Sequence, residues 1–327
     1  MSVAVFQYES EALRTNPLGD PFVRDVHCIV PDDLDPEKAV GVLWYLSGYA
    51  GVSRGMLSHD PWQEGLSERV ERLRAEGKIG QMIIVLPDCF TKYGGSQTLS
   101  SSAHGDYETY LLKELRSFIE SKFNVSGHAI AGKSSGGFGA LVHAMRNPGM
   151  FKAAVCHSGD LGFRLAHTAE IPLLMNGVHE HGSVEALVAA FDKATKKKTG
   201  KWIGSLSMLA YAAAYSPDPT KPLGIALPFD LESGQIDEEV FARWLAWDPV
   251  EMVDIEAHQN ALKLLELLFV DCGSRDEYHL HWGARGFKRK LEAYGIRHEY
   301  QEFNDGHRST SYRLDVSLPK IYEALSV

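Results

Sequence analysis

Residues 127–140 read GHAIAGKSSGGFGA and join a short apolar strand pattern to a helical one. It contains a G-x-S-x-G pentapeptide at residues 132–136, with Ser134 at its centre. Residues 128–131 are typical of a buried strand, and the apolar side chains of residues 138–145 recur with helical spacing. A serine at such a strand-to-helix turn projects from the top of a sheet, and the flanking glycines leave room for the turn. Ser134 is therefore the candidate nucleophile. An ordinary Gly/Ser turn, the alternative for the pentapeptide alone, is disfavoured by these flanks.

A nucleophilic serine needs a base and an acid that orients the base, and both are expected in loops at the ends of later strands. The apolar run at residues 264–270 predicts such a strand, and residues 271–277 (DCGSRDE) are expected to follow as a loop. Asp276 is the candidate acid in this loop. Asp271 and Glu277 are its local rivals.

The candidate base follows the next predicted strand. Residues 297–303 alternate like a strand and lead into NDGH at residues 304–307. His307 then lies in a loop before a terminal helical pattern, and from there its imidazole can reach back to Ser134. We therefore predict His307 as the general base.

Acyl transfer also needs N–H donors for the oxyanion, supplied by the residue after the nucleophile and by an early strand-end loop. Residues 40–46 (VGVLWYL) predict an early strand that breaks into SGYAG at residues 47–51. The backbone N–H groups of Tyr49 and Ser135 are therefore the candidate donors. An ordinary loop is the alternative for the glycine-rich stretch after this strand.

Together these motifs resemble the esterase branch of the α/β-hydrolases that includes S-formylglutathione hydrolase (esterase D), feruloyl esterases and mycolyltransferases. The resembling stretches, in order along about residues 16–325, are 45–49, 105–115, 132–141, 271–276 and 306–307. By this resemblance, the family triad corresponds to Ser134, Asp276 and His307, and its oxyanion hole to Tyr49 and Ser135. The segment after Ser47-Gly48 lacks the Leu-Thr-Cys continuation of formylglutathione hydrolases, which counts against that substrate.

The resemblance implies an α/β-hydrolase fold, and the alternation of strand and helix patterns independently predicts a mostly parallel sheet with helices on both faces. The predicted strands are at residues 22–30, 40–46, 81–86, 128–131, 153–156, 264–270 and 297–303. The predicted helices are at residues 62–74, 107–122, 136–146, 281–294 and 312–325.

The alternation stops between about residues 159 and 259, which predicts a helical insertion. We assign residues 1–158 and 260–327 to the hydrolase core and residues 159–259 to a cap-like insertion at the rim of the active site. Within it, Trp244 and Trp247 are candidate substrate-binding residues. The alternative is that these aromatic side chains fill a small core of the insertion itself.

The composition is that of a soluble globular protein, with 44% hydrophobic and 23% charged residues. A formal net charge of −10 argues against a nucleic-acid partner. No apolar run approaches membrane-spanning length and no charged-then-apolar leader is present, so we expect no membrane partner and a cytoplasmic location. The HEH and HLH tripeptides at residues 179–181 and 279–281 lack H-E-x-x-H spacing, and no nucleotide-binding glycine pattern occurs. We therefore expect no metal and no cofactor.

The sequence thus predicts a serine carboxylic-ester hydrolase that works through an acyl-enzyme, with a small-molecule ester as its partner. A thioesterase of the S-formylglutathione hydrolase type and an acyltransferase are the alternatives. A catalytically inactive hydrolase-fold binding protein is the alternative from a different class. The sequence leaves the oligomeric state open, a homo-oligomer included.

Overall fold

A mostly parallel, eight-stranded sheet organises the computed structural model, which describes residues 1–327. The strands are β1 (Ser2–Glu9), β2 (Val23–Val30), β3 (Val40–Leu46), β4 (Met82–Leu86), β5 (Ser100–Ser101), β6 (Gly105–Asp106), β7 (Val125–Lys133), β8 (Ala153–His157), β9 (Leu267–Gly273) and β10 (Glu299–Phe303). Their order in the sheet is β1-β2-β4-β3-β7-β8-β9-β10, while β5 and β6 pair only with each other. The β1–β2 and β2–β4 pairs are antiparallel, and the five pairs from β4–β3 to β9–β10 are parallel.

Helices cover both faces of this sheet. They are α1 (Leu66–Ala75), α2 (Tyr107–Thr109), α3 (Arg116–Lys122), α4 (Ser135–Arg146), α5 (Phe163–Ala166), α6 (Ile171–His181), α7 (Val184–Lys193), α8 (Gly200–Tyr215), α9 (Glu238–Leu245), α10 (Pro249–Met252), α11 (Glu256–Lys263), α12 (Leu280–Ala293) and α13 (Leu314–Ser326). A π-helical segment, Tyr110–Leu115, joins α2 to α3.

Alternate side chains of β3 show how the two faces are packed. Val42 and Trp44 point into a large apolar cluster with α4, whereas Leu43 points into a smaller cluster with α1 and α13. Because strands covered on both faces bury every side chain, β4 is apolar throughout, and β8 and β9 are apolar up to His157 and Asp271 respectively. The predicted α/β-hydrolase architecture is confirmed.

The strand before the candidate acid lies three residues later than predicted. The expected strand was 264–270, but Leu264 and Leu265 instead complete the last turn of α11, since their N–H groups donate to the carbonyls of Ala261 and Leu262. β9 therefore runs over Leu267–Gly273 and contains Asp271, which was expected in the loop. A second difference is β1, an edge strand at residues 2–9 that no predicted element covered.

The segment between β8 and β9 contains seven helices, α5 to α11, and no strand of the sheet. Its apolar side chains do not form a core of their own, because Leu174, Leu209 and Trp244 belong to the same cluster as Val42 and Phe138. The insertion is therefore packed onto one face of the sheet. Its boundaries at residues 159 and 259 and its action as a cap stay predictions.

The parallel strands bring their carboxyl ends to one edge of the sheet, where ligands of open α/β sheets bind. The chain segments that leave this edge after β3, β7, β8, β9 and β10 carry Tyr49, Ser134, Asp160, Asp276 and His307 respectively. Residues far apart in sequence are thus gathered above the sheet. No helix of the chain combines the length and the apolar character needed to cross a bilayer.

Candidate active site

Ser134 lies at a strained turn between β7 and α4. Its φ of 57° and ψ of −127° are unfavourable for a residue with a side chain and cost roughly 1–3 kcal/mol in general. The turn is tight because a Cβ on Gly132 would overlap the backbone of Gly136. The Ser134 N–H donates to the carbonyl oxygen of His157 at 2.9 Å, which fixes the turn against β8. The fold therefore supports this strain and presents the hydroxyl at the top of the sheet.

The candidate base and acid form a hydrogen-bonded pair. His307 Nδ1 lies 2.7 Å from Asp276 Oδ2, and the Asp276 side chain is completely buried. Asp276 Oδ1 accepts the N–H of Tyr278 at 2.9 Å. Glu277, one of the two rivals, accepts the backbone N–H of His307 at 2.6 Å and so holds the loop rather than the imidazole.

Asp271, the other rival, is committed to a separate buried network. Its Oδ1 lies 2.8 Å from His157 Nδ1, and its Oδ2 accepts from Arg313 Nε at 2.9 Å. His157 Nε2 lies 2.9 Å from the hydroxyl of Ser317, which is fully buried in α13. The chain thus contains a second Ser–His–Asp arrangement. Because Ser317 has no exposed surface, no substrate can reach it.

Two backbone N–H groups are available beside Ser134. No protein group accepts the N–H of Tyr49, whereas the neighbouring Ala50 N–H is used by the carbonyl of Gly94 at 3.0 Å. Ser135 is the first residue of α4, and the first N–H groups of a helix have no intrahelical acceptor. A Cβ on Gly48 would lie 3.2 Å from the Cβ of Ser134, so a glycine lets this loop approach the serine closely.

Asp160, which the sequence analysis did not single out, accepts a hydrogen bond from the Ser134 hydroxyl. Ser134 Oγ donates to Asp160 Oδ1 at 3.5 Å, and no hydrogen bond joins Ser134 to His307 in this conformation. Ser135 Oγ donates to Asp160 Oδ2 at 2.8 Å. Burial raises the pKa of Asp160 above its usual range. Its place directly after β8, at the carboxyl edge of the sheet, is the signal that could have identified it.

Ser134 and His307 line one cavity of about 650 Å³ together with Asp160. The insertion supplies many of the other residues that line this cavity, and Glu170 and Tyr211 are among them. Burial raises the pKa of Glu170 to about 7. Sequence reasoning missed both residues, because only the packing of the insertion onto the sheet brings them to the cavity.

The two tryptophans predicted to bind substrate do not line this cavity. Trp244 is fully buried, and its indole N–H donates to Ser216 Oγ at 2.7 Å. Trp247 packs against Arg146, whose guanidinium carbon lies 4.8 Å from the centroid of the indole ring. The structure therefore does not support the predicted substrate contacts of Trp244 and Trp247. Trp244 instead fills a hydrophobic core, as the alternative proposed, but this core is shared with the sheet.

A mostly parallel sheet with a strained serine between a strand and a helix defines an α/β-hydrolase. The model of the family described as "Putative esterase" matches residues 23–321, and the chain therefore belongs to this esterase family. Two curated relatives, the esterases MT1326 and Rv1288 of Mycobacterium tuberculosis strains, are each 29% identical over 164 residues. That alignment covers 49% of this chain and 32% of each relative, so the match spans about a third of their length.

Solved structures support the fold across the whole chain. An S-formylglutathione hydrolase from Agrobacterium tumefaciens is 17% identical with a TM-score of 0.61, over 99% of this chain and 95% of that one. A ferulic acid esterase is 20% identical with a TM-score of 0.59, over 99% and 98% of the two chains. A ferulic acid esterase from Anaeromyces mucronatus is 15% identical with a TM-score of 0.55, over 99% and 92%. At these identities the similarity concerns the fold alone.

Proposed function

We propose that this chain is a serine carboxylic-ester hydrolase with Ser134 as nucleophile, His307 as general base and Asp276 as orienting acid. The observation that carries the proposal is a strained, non-glycine serine turn on the same cavity as a histidine hydrogen-bonded to a buried carboxylate. Backbone strain in a well-packed chain concentrates at functional sites. A histidine oriented by a carboxylate is the base that a serine nucleophile requires.

The reaction proceeds in two halves. In the first, the Ser134 hydroxyl turns from Asp160 towards His307, which takes its proton as the oxygen attacks the ester carbonyl. The N–H groups of Tyr49 and Ser135 stabilise the oxyanion of the tetrahedral intermediate, and His307 then protonates the leaving alcohol. In the second half, His307 activates a water that hydrolyses the acyl-enzyme and releases Ser134. Asp276 holds the imidazole in the tautomer that both steps need.

The direct test is labelling with a fluorophosphonate, which reacts with an activated serine. One adduct per wild-type chain is expected, and peptide mapping should locate it on Ser134. A Ser134→Ala chain with an unchanged circular dichroism spectrum should not be labelled. Adduct formation that persists in this variant would place the nucleophile elsewhere, and a wild-type chain that resists labelling would favour the inactive binding protein.

Removal of the Tyr49 N–H donor is expected to slow turnover by roughly 10²–10³-fold, the cost of losing one oxyanion-hole donor. Tyr49→Pro deletes this N–H. Tyr49→Phe is the matched control, since it keeps the N–H and the ring and loses only the hydroxyl bond to the Tyr93 carbonyl at 2.7 Å. The measurement is kcat with a nitrophenyl ester.

Because proline also fixes φ, the comparison requires a folded Tyr49→Pro protein that still reacts with a fluorophosphonate. Equal turnover by Tyr49→Pro and Tyr49→Phe would assign the donor to Gly48. The N–H of Gly48 likewise has no acceptor, whereas that of Ala50 is already bonded.

A further inference from the structure

The part of the cavity that the insertion lines contains polar groups that no protein partner satisfies. Tyr211 is only 6% exposed, and its hydroxyl makes no hydrogen bond within the chain although it borders the cavity. His167 is 3% exposed, and its Nε2 is buried without a partner. Such groups are costly to bury unless something satisfies them. The Tyr211 hydroxyl borders the cavity and is open to a ligand there, whereas His167 Nε2 has no exposed surface.

The acidic residue in this part of the cavity, Glu170, has no basic partner. The carboxylate of Glu170 accepts one hydrogen bond, from the Ser207 hydroxyl to Oε2 at 3.2 Å, and makes no ion pair. The charged group that acts on it is another acid, Asp160, which raises the pKa of Glu170 further. Burial lowers the pKa of His167 to about 3, so this imidazole is neutral and does not act as a cation.

The lysine and arginine residues that line the cavity form no ion pair with Glu170. Lys133 lies on the His307 side, where the carboxylates that influence it are Asp276, Asp271, Glu277 and Asp305. Lys198 and Arg308 are exposed at the rim. Glu170 is half-buried, and a partly desolvated carboxylate without a basic partner is unfavourable, so a cation brought by a ligand would reduce this penalty.

Aromatic rings surround the same space. Tyr49 and Tyr211 lie with their ring centroids 6.1 Å apart, and both line the cavity. The imidazole of His167 stacks on the Tyr211 ring, and the two ring centroids are 4.3 Å apart. Rings beside a carboxylate are the surroundings that favour an ammonium group, because the face of each ring attracts a cation.

We propose that Glu170, Tyr211 and Tyr49 form a subsite for an ammonium-bearing group of the ester substrate. This inference rests on the proposed esterase function and specifies its substrate class. The ammonium group would neutralise Glu170 while its methyl or methylene groups pack against the rings. The group can belong to the acyl or to the alcohol part of the ester, since both parts occupy the cavity next to Ser134.

The preference for a cationic substrate should increase with pH. The pKa of Glu170 is raised to about 7, so the carboxylate is mostly protonated below that pH and becomes ionised above it. The titratable groups that face Glu170 are Asp160, Tyr49, Tyr211 and His167. Only an ionised Glu170 attracts the cation strongly, so discrimination should rise as pH passes through about 7.

The test compares each cationic ester with a neutral isostere in which a tert-butyl group replaces trimethylammonium. One pair consists of choline acetate and its isostere, with the group in the alcohol. The other consists of the nitrophenyl ester of trimethylammoniobutyrate and its isostere, with the group in the acyl part. In at least one pair, wild-type kcat/KM should favour the cation by roughly 10-fold or more, and Glu170→Gln should abolish most of this ratio. Both esters of a pair depend on His307 in the same way, so the ratio of their kcat/KM values does not report the ionisation of His307.

Glu185→Gln is the matched control, because it removes an exposed carboxylate of α7 outside the cavity and should leave the ratio unchanged. Glu170→Asp, which keeps the charge, should retain more of the ratio than Glu170→Gln. Calorimetry with butyltrimethylammonium and the Ser134→Ala chain measures the subsite without turnover. If the cation binds although no ester is hydrolysed, the esterase proposal fails and the subsite stands. If esters are hydrolysed without cation preference, or the preference survives in Glu170→Gln, the subsite is refuted.

Discussion

Ser134→Ala is expected to lower kcat for a nitrophenyl ester by about 10⁶-fold, the loss seen when the nucleophile of a serine triad is removed. His307→Ala should cause a loss of similar size, because in the proposed reaction His307 is the base that takes the serine proton and returns it to the leaving alcohol. The double variant should be hardly slower than either single one, since groups that act as a unit are strongly non-additive. Steady-state kinetics of the three variants, with circular dichroism as a check of folding, test this expectation.

Ser317→Ala supplies a matched control for this comparison. It removes the serine of the second Ser–His–Asp arrangement, in which Ser317 Oγ lies 2.9 Å from His157 Nε2. Its turnover should stay near that of the wild type, because Ser317 is buried and is not among the residues that line the cavity. A large loss in Ser317→Ala together with a small one in Ser134→Ala would reverse the assignment. Additive losses from Ser134→Ala and His307→Ala would show that the two residues do not act together.

Much of the fold follows from local sequence signals. The continuous apolar runs of β3, β4 and β8 fall within a residue or two of prediction, because strands buried on both faces leave an unmistakable pattern. β1 has no such pattern. It lies at the sheet edge with Val3 and Val5 about half exposed, and its pairing with β2 rather than its composition makes it a strand.

The candidate site was predictable where local geometry dictates the residue type. The elbow at Ser134 needs glycines on both sides, and this requirement is visible in the sequence. Asp160 follows β8 at the carboxyl edge of the sheet but carries no local motif, and the position of Glu170 depends on how residues 158–266 fold back over the sheet. Trp244 illustrates the same limit, because only the structure shows that its indole points to Ser216 and away from the cavity.

Asp276→Asn is expected to lower kcat by up to ~10⁴-fold, as loss of the orienting carboxylate does in a serine triad. Asparagine has nearly the same shape, but its amide can present an N–H to His307 Nδ1 and so favour the wrong tautomer. The side chain of Asp276 is completely buried and lies 2.7 Å from His307, so no water can take its place easily. The loss should appear in kcat, while the melting temperature changes much less.

Asp271→Asn is the matched substitution, in the same segment and equally buried, and it should have the opposite profile. Asp271 pairs with both His157 and Arg313, and breaking a buried ion pair costs roughly 3–5 kcal/mol of stability. Urea unfolding should therefore show a large decrease in the free energy of unfolding, with kcat of the folded fraction largely retained. The two variants together separate orientation of the imidazole from support of the sheet. If Asp271→Asn is crippled in kcat while Asp276→Asn turns over near the wild-type rate, the acid is Asp271, and the His307–Asp276 pair serves the loop alone.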